Sequence, residues 1–156
     1  MSKISQKCEY GLRVLLELTR RQGQGPVSVT EIAAVQAIPQ RFLELIVKEL
    51  REASVVASYR GAKGGYVLAA DPARLTLGQI IRLLDGPFGP MDCMACGGER
   101  YCTLQGGCSL ATVWRRANRA LAEVYDSITF RDLADEQQAP TMPQAAAITA
   151  DAATGQ

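Results

Sequence analysis

The chain has 156 residues, of which 47% are hydrophobic and 21% charged, and its formal net charge is +1. This composition predicts a packed core in one domain, or in a domain with an appendage. The complete lack of histidine excludes mixed cysteine–histidine zinc fingers, Rieske-type ligation and histidine-dependent catalytic triads.

Charge is unevenly distributed along the chain. Residues 1–70 carry ten Lys or Arg and six Asp or Glu (+4), whereas residues 71–156 carry seven and ten (−3). The first half is therefore the better candidate for contacting a polyanion. No apolar run approaches the roughly 18 residues of a membrane span, and the first seven residues lack the apolar region of a signal peptide. We expect a cytoplasmic protein with no membrane partner.

Apolar spacing predicts three helices in the first third of the chain, at about 7–21, 28–37 and 39–53. Ser28 followed by Glu31 is a capping-box pattern that marks the start of the second helix. In the third helix, the residues expected to face inward are Phe42, Leu43, Ile46, Val47 and Leu50. The residues expected outside are Gln40, Arg41, Glu44, Lys48 and Arg51. A short helix followed by a longer, basic and polar one is typical of a helix-turn-helix.

A β-hairpin is predicted directly after the third helix, with strands at 55–59 and 66–69. Its glycine-rich tip carries two cations, Arg60 and Lys63. A solvated turn would use the same residue types, but a hairpin in this position favours the wing of a winged helix. The two cations are then placed to meet phosphates or a minor groove.

The second half is predicted to contain a short apolar helix at about 75–85 and a longer helix at about 109–128. The apolar stripe of the longer helix is Leu110, Val113, Trp114, Ala117, Leu121, Val124 and Ile128. This stripe favours packing against a second copy, with packing onto its own domain as the alternative. The predicted organisation is a winged helix-turn-helix domain at 1–85, a cysteine-rich loop at 86–108, a dimerisation helix region at 109–133 and a disordered tail at 134–156.

Four of the five cysteines lie between the two C-terminal helices, in the spacing C-x2-C-x5-C-x5-C: Cys93, Cys96, Cys102 and Cys108. Clustered thiolates on glycine-rich backbone can converge on one soft metal centre, and both iron–sulfur clusters and zinc suit such ligands. Four-thiolate zinc sites are usually built from two knuckles, each a pair of cysteines separated by two to four residues. Here only Cys93 and Cys96 are that close, and the other cysteines are separated by five residues. In a cytoplasmic protein, clustered cysteines more often hold metal or sense redox state than form structural disulfides.

The chain resembles the Rrf-type family of bacterial winged-helix transcription regulators, which includes IscR-like and NsrR-like iron–sulfur regulators. The likeness covers about residues 1–133. It is carried by the wing at 58–69, by the segment 38–44 that opens the third helix, and by the triplet Cys96-x5-Cys102-x5-Cys108. The resemblance implies a mainly α fold with a small β-hairpin wing and a long C-terminal dimerisation helix. It also favours an iron–sulfur cluster over zinc on these three thiolates. The resemblance does not distinguish [2Fe–2S] from [4Fe–4S], and of the two we slightly favour [2Fe–2S].

The resemblance does not identify the fourth ligand of the cluster. IscR-like members can use a histidine three residues after the last cysteine, where this chain has Ala111. NsrR-like members use an N-terminal acid of the partner subunit, which corresponds to Glu9 here. Cys8 is adjacent to that position, and Cys93 is a thiol outside the usual triplet. The candidates are therefore Glu9, Cys8 and Cys93.

The expected partner is a palindromic double-stranded DNA operator that a homodimer binds with its two third helices. We expect Gln40, Arg41 and Phe42 to contact base edges, and Lys48 and Arg51 to contact phosphates. Arg60 and Lys63 are expected to contact the DNA from the wing. In the resembling regulators a glutamate at the place of Glu44 restricts which sites the cluster-free form binds, with a solvated carboxylate as the alternative. Leu45 stands where some members have a polar base-reading side chain.

We therefore predict a non-enzymatic, iron–sulfur-sensing regulator, acting as a repressor, that responds to iron–sulfur status or to oxidative or nitrosative stress. Cluster-assembly proteins are further candidate partners. One alternative is a winged-helix regulator with a structural zinc or a thiol switch. Another is an iron–sulfur electron-transfer protein, which the absence of a flavin or dinucleotide glycine motif disfavours.

Overall fold

The computed structural model describes residues 4–61, 63–87, 89 and 108–136. Within these ranges the chain forms six helices and one two-stranded antiparallel sheet. The elements in chain order are α1 (Gln6–Arg20), α2 (Val29–Gln36), α3 (Gln40–Glu52), β1 (Val56–Tyr59), β2 (Gly65–Leu68), α4 (Leu77–Asp85), α5 (Ala111–Ser127) and α6 (Phe130–Glu136). The mainly helical architecture with one β-hairpin is confirmed. No helix among the described residues has both the length and the apolar content needed to cross a bilayer.

The core lies between α1, α3, α4 and α6. Its members are apolar side chains spaced three or four residues apart on each helix, which places them on one face. The largest fully buried ones include Leu15, Ile32, Leu43, Ile46, Leu50, Ile80, Ile81 and Phe130. Phe42 was predicted to join this face but is 52% exposed, because position 42 lies at the edge of the arc that Leu43, Ile46 and Leu50 bury.

Hydroxyl side chains begin the helices that frame the DNA-binding half. The Ser28 side chain accepts a hydrogen bond from the Glu31 backbone N–H at 3.2 Å, as predicted. The capping box expected there is only half formed, because the Glu31 carboxylate pairs with Arg21 instead. A complete box opens α4, where Thr76 and Gln79 exchange side-chain and backbone hydrogen bonds.

A short backbone β-bridge, in addition to side-chain packing, joins the hairpin to the helices. Its register pairs Val56 with Leu68 and Tyr59 with Gly65. Val27, just before α2, exchanges backbone hydrogen bonds of 3.0 and 2.8 Å with Tyr66. A Cβ atom at Gly65 would lie 2.3 Å from the Val27 carbonyl oxygen, so this approach requires glycine. The bridge therefore fixes the wing against the helix-turn-helix.

The C-terminal segment differs from the prediction. Helix α5 ends at Ser127 rather than at Ile128, and the chain turns into α6, whose Phe130 and Ala134 are buried. Residues 134–136 belong to this helix, so the tail boundary expected at 134 was wrong by three residues. The signal was present in the sequence: Thr129 and Asp132 cap α6 reciprocally, with the Thr129 N–H donating to Asp132 Oδ2 at 2.9 Å and the Asp132 N–H donating to Thr129 Oγ1 at 3.1 Å. Residues 137–156, the rest of the expected tail, lie outside the described residues.

Candidate DNA interface and metal centre

Helix α3 presents an outer surface that is suited to a polyanion. Its first turn contains no acidic residue, and Pro39 precedes it without a side-chain cap. The first backbone N–H groups therefore lack a side-chain acceptor, which leaves the positive end of the helix dipole available. Helix N-termini with free N–H groups are favourable positions for phosphate.

The predicted base- and phosphate-contacting residues of α3 lie together on its exposed side, namely Gln40, Arg41, Phe42, Lys48 and Arg51. Lys48 lies 3.9 Å from Glu52 in a pair in which both side chains are more than half exposed. Such a surface pair contributes little, so Lys48 is free to exchange its partner for a phosphate.

Glu44 is exposed on the same helix, and the Gln40 side-chain amide donates a hydrogen bond to its carboxylate at 3.0 Å. The structure thus brings the predicted specificity gate and one predicted base contact together in one pair. A carboxylate held on this surface repels phosphates and accepts hydrogen bonds from base donors. Whether Glu44 acts as a gate stays a prediction.

The wing places both of its predicted cations in solvent. Arg60 follows β1 and Lys63 precedes β2, and both side chains are exposed on either side of the tip. Tyr59 adds an aromatic side chain that is largely exposed next to Arg60. This is the arrangement expected of a hairpin that meets a nucleic-acid backbone.

The expected metal loop lies mostly outside the described residues. Cys93, Cys96 and Cys102 fall there, while Cys108 is half-buried, with its carbonyl accepting a hydrogen bond from the Ala111 N–H at 3.1 Å as α5 begins. Among the residues that the structure describes, no three His, Cys, Asp or Glu side chains form a metal-binding group. The loop leaves α4 at Asp85 and returns at the start of α5.

Two of the three candidates for the fourth ligand are described, and they differ in chemistry. Cys8 is buried in the core, and burial together with the Asp85 carboxylate raises the pKa of its thiol to about 12. The Cys8 side chain has no exposed surface and would have to leave the core to reach a metal, so Glu9 is the better placed of the two. Glu9 is exposed, and its nearest cation is Arg13, at 3.8 Å on the same helix. Its carboxylate fits the donor set as a labile ligand.

Asp85 connects the start of the cysteine loop to the first turn of α1. Its carboxylate accepts hydrogen bonds from the Ser5 backbone N–H at 2.8 Å and from the Ser5 hydroxyl at 2.5 Å, and its charge helps to raise the pKa of the Cys8 thiol. In the same first turn of α1, Lys7 forms an ion pair of 3.2 Å with Glu49 of α3. The first turn of α1 therefore contacts both the root of the loop and α3, the helix that carries the predicted DNA-contacting residues.

Helix α5 has two apolar flanks with different surroundings in the single chain. One flank packs on α4, where Arg82 and Asp126 form an ion pair of 2.5 Å and Tyr125 packs against the core. The other flank is open and includes Leu110, Val113, Leu121 and Val124, with Val113 and Val124 both 53% exposed. Of the predicted stripe, Leu110, Val113, Leu121 and Val124 are therefore available to a second copy, whereas Trp114, Ala117 and Ile128 are partly buried.

Comparisons with known proteins agree on the family. A family model described as "Rrf2: Iron-dependent Transcriptional regulator" matches residues 4–136. The HTH-type regulator CymR of Bacillus subtilis is 40% identical over 132 residues, which cover 85% of this chain and 89% of that protein. The solved structure of the same CymR, described as the global cysteine regulator of B. subtilis, has a TM-score of 0.74 at 39% identity and covers 87% of this chain and 98% of that one.

A second solved structure, T. potens IscR, has a TM-score of 0.70 at 33% identity and covers 90% of this chain and 94% of that one. The family model spans the hairpin and the C-terminal helices, and the two solved structures share the fold, so the winged helix-turn-helix fold is confirmed along with the resemblance. The chain belongs to the Rrf2 family of helix-turn-helix transcriptional regulators, which are DNA-binding proteins and not enzymes.

Proposed function

We propose that this protein is a homodimeric transcriptional repressor whose DNA affinity depends on an iron–sulfur cluster held by Cys96, Cys102 and Cys108. The observation that carries the proposal is the even C-x5-C-x5-C spacing in the loop between α4 and α5. Three thiolates suit iron–sulfur ligation, and the family description refers to iron. Cluster-assembly proteins would supply the group, and [2Fe–2S] remains the favoured type.

Of the three candidates for the fourth ligand, the proposal favours Glu9 or Cys93 over Cys8, because the Cys8 side chain is fully buried in the core. An iron–sulfur cluster supplies a site that oxygen, nitric oxide or iron shortage can alter. Glu9 lies in the first turn of α1, next to the residues that contact Asp85. In a dimer an N-terminal ligand of this kind would join two subunits, whereas Cys93 would keep the site within one chain.

The route from the loop to the DNA passes through α1. Ser5 donates hydrogen bonds to Asp85 at the root of the loop, and Lys7 forms an ion pair with Glu49 on α3. A change in the order of the loop alters the position of Asp85 and, through α1, the tilt of α3. A coupling free energy of about 1–3 kcal/mol changes operator affinity about 5- to 150-fold, so a small displacement is sufficient.

On DNA, the two α3 helices of the dimer enter successive major grooves about 34 Å apart, which requires a palindromic operator. Gln40, Arg41 and Phe42, early in α3, reach base edges. Lys48, Arg51 and the helix N-terminus contact phosphates. Arg60 and Lys63 on the wing contact the backbone or the minor groove beside the α3 site.

Replacing Arg60 by alanine should weaken binding to every DNA sequence by a similar factor. A phosphate contact carries no sequence information, so its loss lowers affinity uniformly and reduces the slope of log affinity against log salt by about one unit. Fluorescence anisotropy at several salt concentrations measures both quantities. Unchanged affinity and slope would remove the wing from the interface. Arg74, an exposed arginine after the hairpin, provides the matched control when it is replaced by alanine.

Iron and acid-labile sulfide analysis of protein purified without oxygen tests the cofactor directly. The proposal expects iron and sulfide in similar amounts and a visible absorbance spectrum. Stoichiometric zinc without sulfide would instead identify the structural-zinc alternative. Rapid electron exchange with no retention on DNA would favour an electron-transfer protein, a reading that membership of a regulator family already disfavours.

The similarity to CymR supports a second candidate, a regulator that responds to the cysteine supply. CymR is described as the global cysteine regulator of B. subtilis and is 39–40% identical to this chain. This candidate predicts DNA binding that is independent of iron and depends on a thiol metabolite or a thiol-state change. Metal analysis on the same preparation separates it from the first proposal.

A further inference from the structure

The outer face of α3 has an apolar centre. Residues 41, 45 and 48 are spaced by three or four positions and lie opposite the face that is buried through Leu43 and Leu50. Leu45 occupies the middle of this outer face and is 63% exposed, more than any other large hydrophobic side chain that the structure describes. Phe42, three residues earlier, is 52% exposed beside it.

These two side chains differ from the single apolar residues that are common on protein surfaces. They are neighbours on one helix, and Arg41 and Lys48 flank them. The polar residues on the adjoining side, Gln40 and Glu44, are hydrogen-bonded to each other rather than covering the leucine. The apolar pair is therefore left open on the surface that faces DNA in this family.

We propose that Leu45 is a specificity-determining residue that recognises the C5-methyl group of thymine in the major groove, with Phe42 extending the same apolar contact. Thymine is the base that presents a methyl group in this groove, and apolar side chains read it by burial rather than by hydrogen bonding. Leu45 can neither donate nor accept a hydrogen bond, so it cannot make the bidentate contacts that amide side chains make to adenine. An operator for this protein therefore contains thymine at the position in each half-site that Leu45 covers.

The inference rests on the DNA-binding part of the proposed function and not on the iron–sulfur part. Full-length protein purified without oxygen is first used to select binding sites from a random duplex library. Each thymine of the recovered site is then replaced singly by deoxyuridine, which removes the methyl group and leaves base pairing unchanged. Affinities are measured for wild type, for Leu45→Ala and for a matched control, Val35→Ala. Val35 is a similarly exposed apolar residue on α2.

Wild type should bind about fourfold more weakly when deoxyuridine replaces one particular thymine of each half-site. This factor corresponds to about 0.8 kcal/mol for one buried methyl-sized group. Leu45→Ala should lose this response, and Val35→Ala should keep it. The inference is overturned if deoxyuridine is tolerated at every position, if Leu45→Ala responds as wild type does, or if the library yields no enriched sequence. If the operator affinity is the same with and without the cluster, only the proposed iron–sulfur control is contradicted. The effect of deoxyuridine on affinity can still be measured in both states.

Discussion

Replacing Cys102 by alanine is expected to give a colourless protein that contains little iron. Alanine offers no donor atom, and three thiolates with one weak ligand leave no spare coordination for a cluster. The visible absorbance should therefore be almost completely lost, while the fraction of folded protein stays the same. Absorbance spectra and iron and sulfide counts on oxygen-free preparations measure it, with circular dichroism as the check on folding.

Cys8→Ala is the matched control for this substitution. It removes a cysteine that is fully buried in the core and lies outside the C-x5-C-x5-C triplet. We expect this variant to keep its colour and to lose only a modest amount of stability, since a small apolar side chain replaces one that behaves as a small hydrophobe. Full colour in Cys102→Ala, or loss of colour in Cys8→Ala, would contradict the ligand assignment.

Replacing Val124 by glutamate is expected to separate the dimer and to lower operator affinity by a factor on the order of 10² or more. The open flank of α5 would bury Val124 against the second copy, and an unpaired carboxylate there costs several kcal/mol. A monomer retains one α3 helix and can bind only one half-site. It therefore loses the increase in affinity that comes from binding two linked half-sites, which is typically about 10²- to 10⁴-fold. Light scattering and DNA titration measure the two effects.

Thr112→Glu provides the comparison for Val124→Glu, because it adds the same charge to an exposed position on a different side of α5. It should leave the mass and the affinity unchanged. If Val124→Glu remains a dimer with wild-type affinity, the open flank of α5 is not the subunit interface.

The features that could be predicted from the sequence are those that local spacing encodes. The helix boundaries of α1–α3 follow from apolar periodicity and from Ser28 as a cap, and the wing follows from two short apolar runs around a glycine-rich tip. The exposed positions of Arg41, Lys48 and Arg60 follow from the same patterns. Each depends on residues within one or two turns of one another.

The features that could not be predicted depend on contacts between distant parts of the chain. The pairing of Asp85 with Ser5 joins residues 80 positions apart, and the raised pKa of Cys8 results from its burial in the core and, secondly, from the Asp85 carboxylate. Phe42 lies at the edge of the buried arc of α3, and apolar character alone does not show whether a residue at such an edge is covered. Helix α6 was missed although Thr129 and Asp132 form a local cap, because its seven residues are too few to show a repeat.

The most direct test is an operator titration of one oxygen-free preparation, before and after its cluster is removed by chelation. We expect operator affinity to change at least fivefold between the two states, with the protein dimeric and folded in both. Identical affinities in a preparation that demonstrably lost its iron and sulfide would contradict iron–sulfur control of DNA binding.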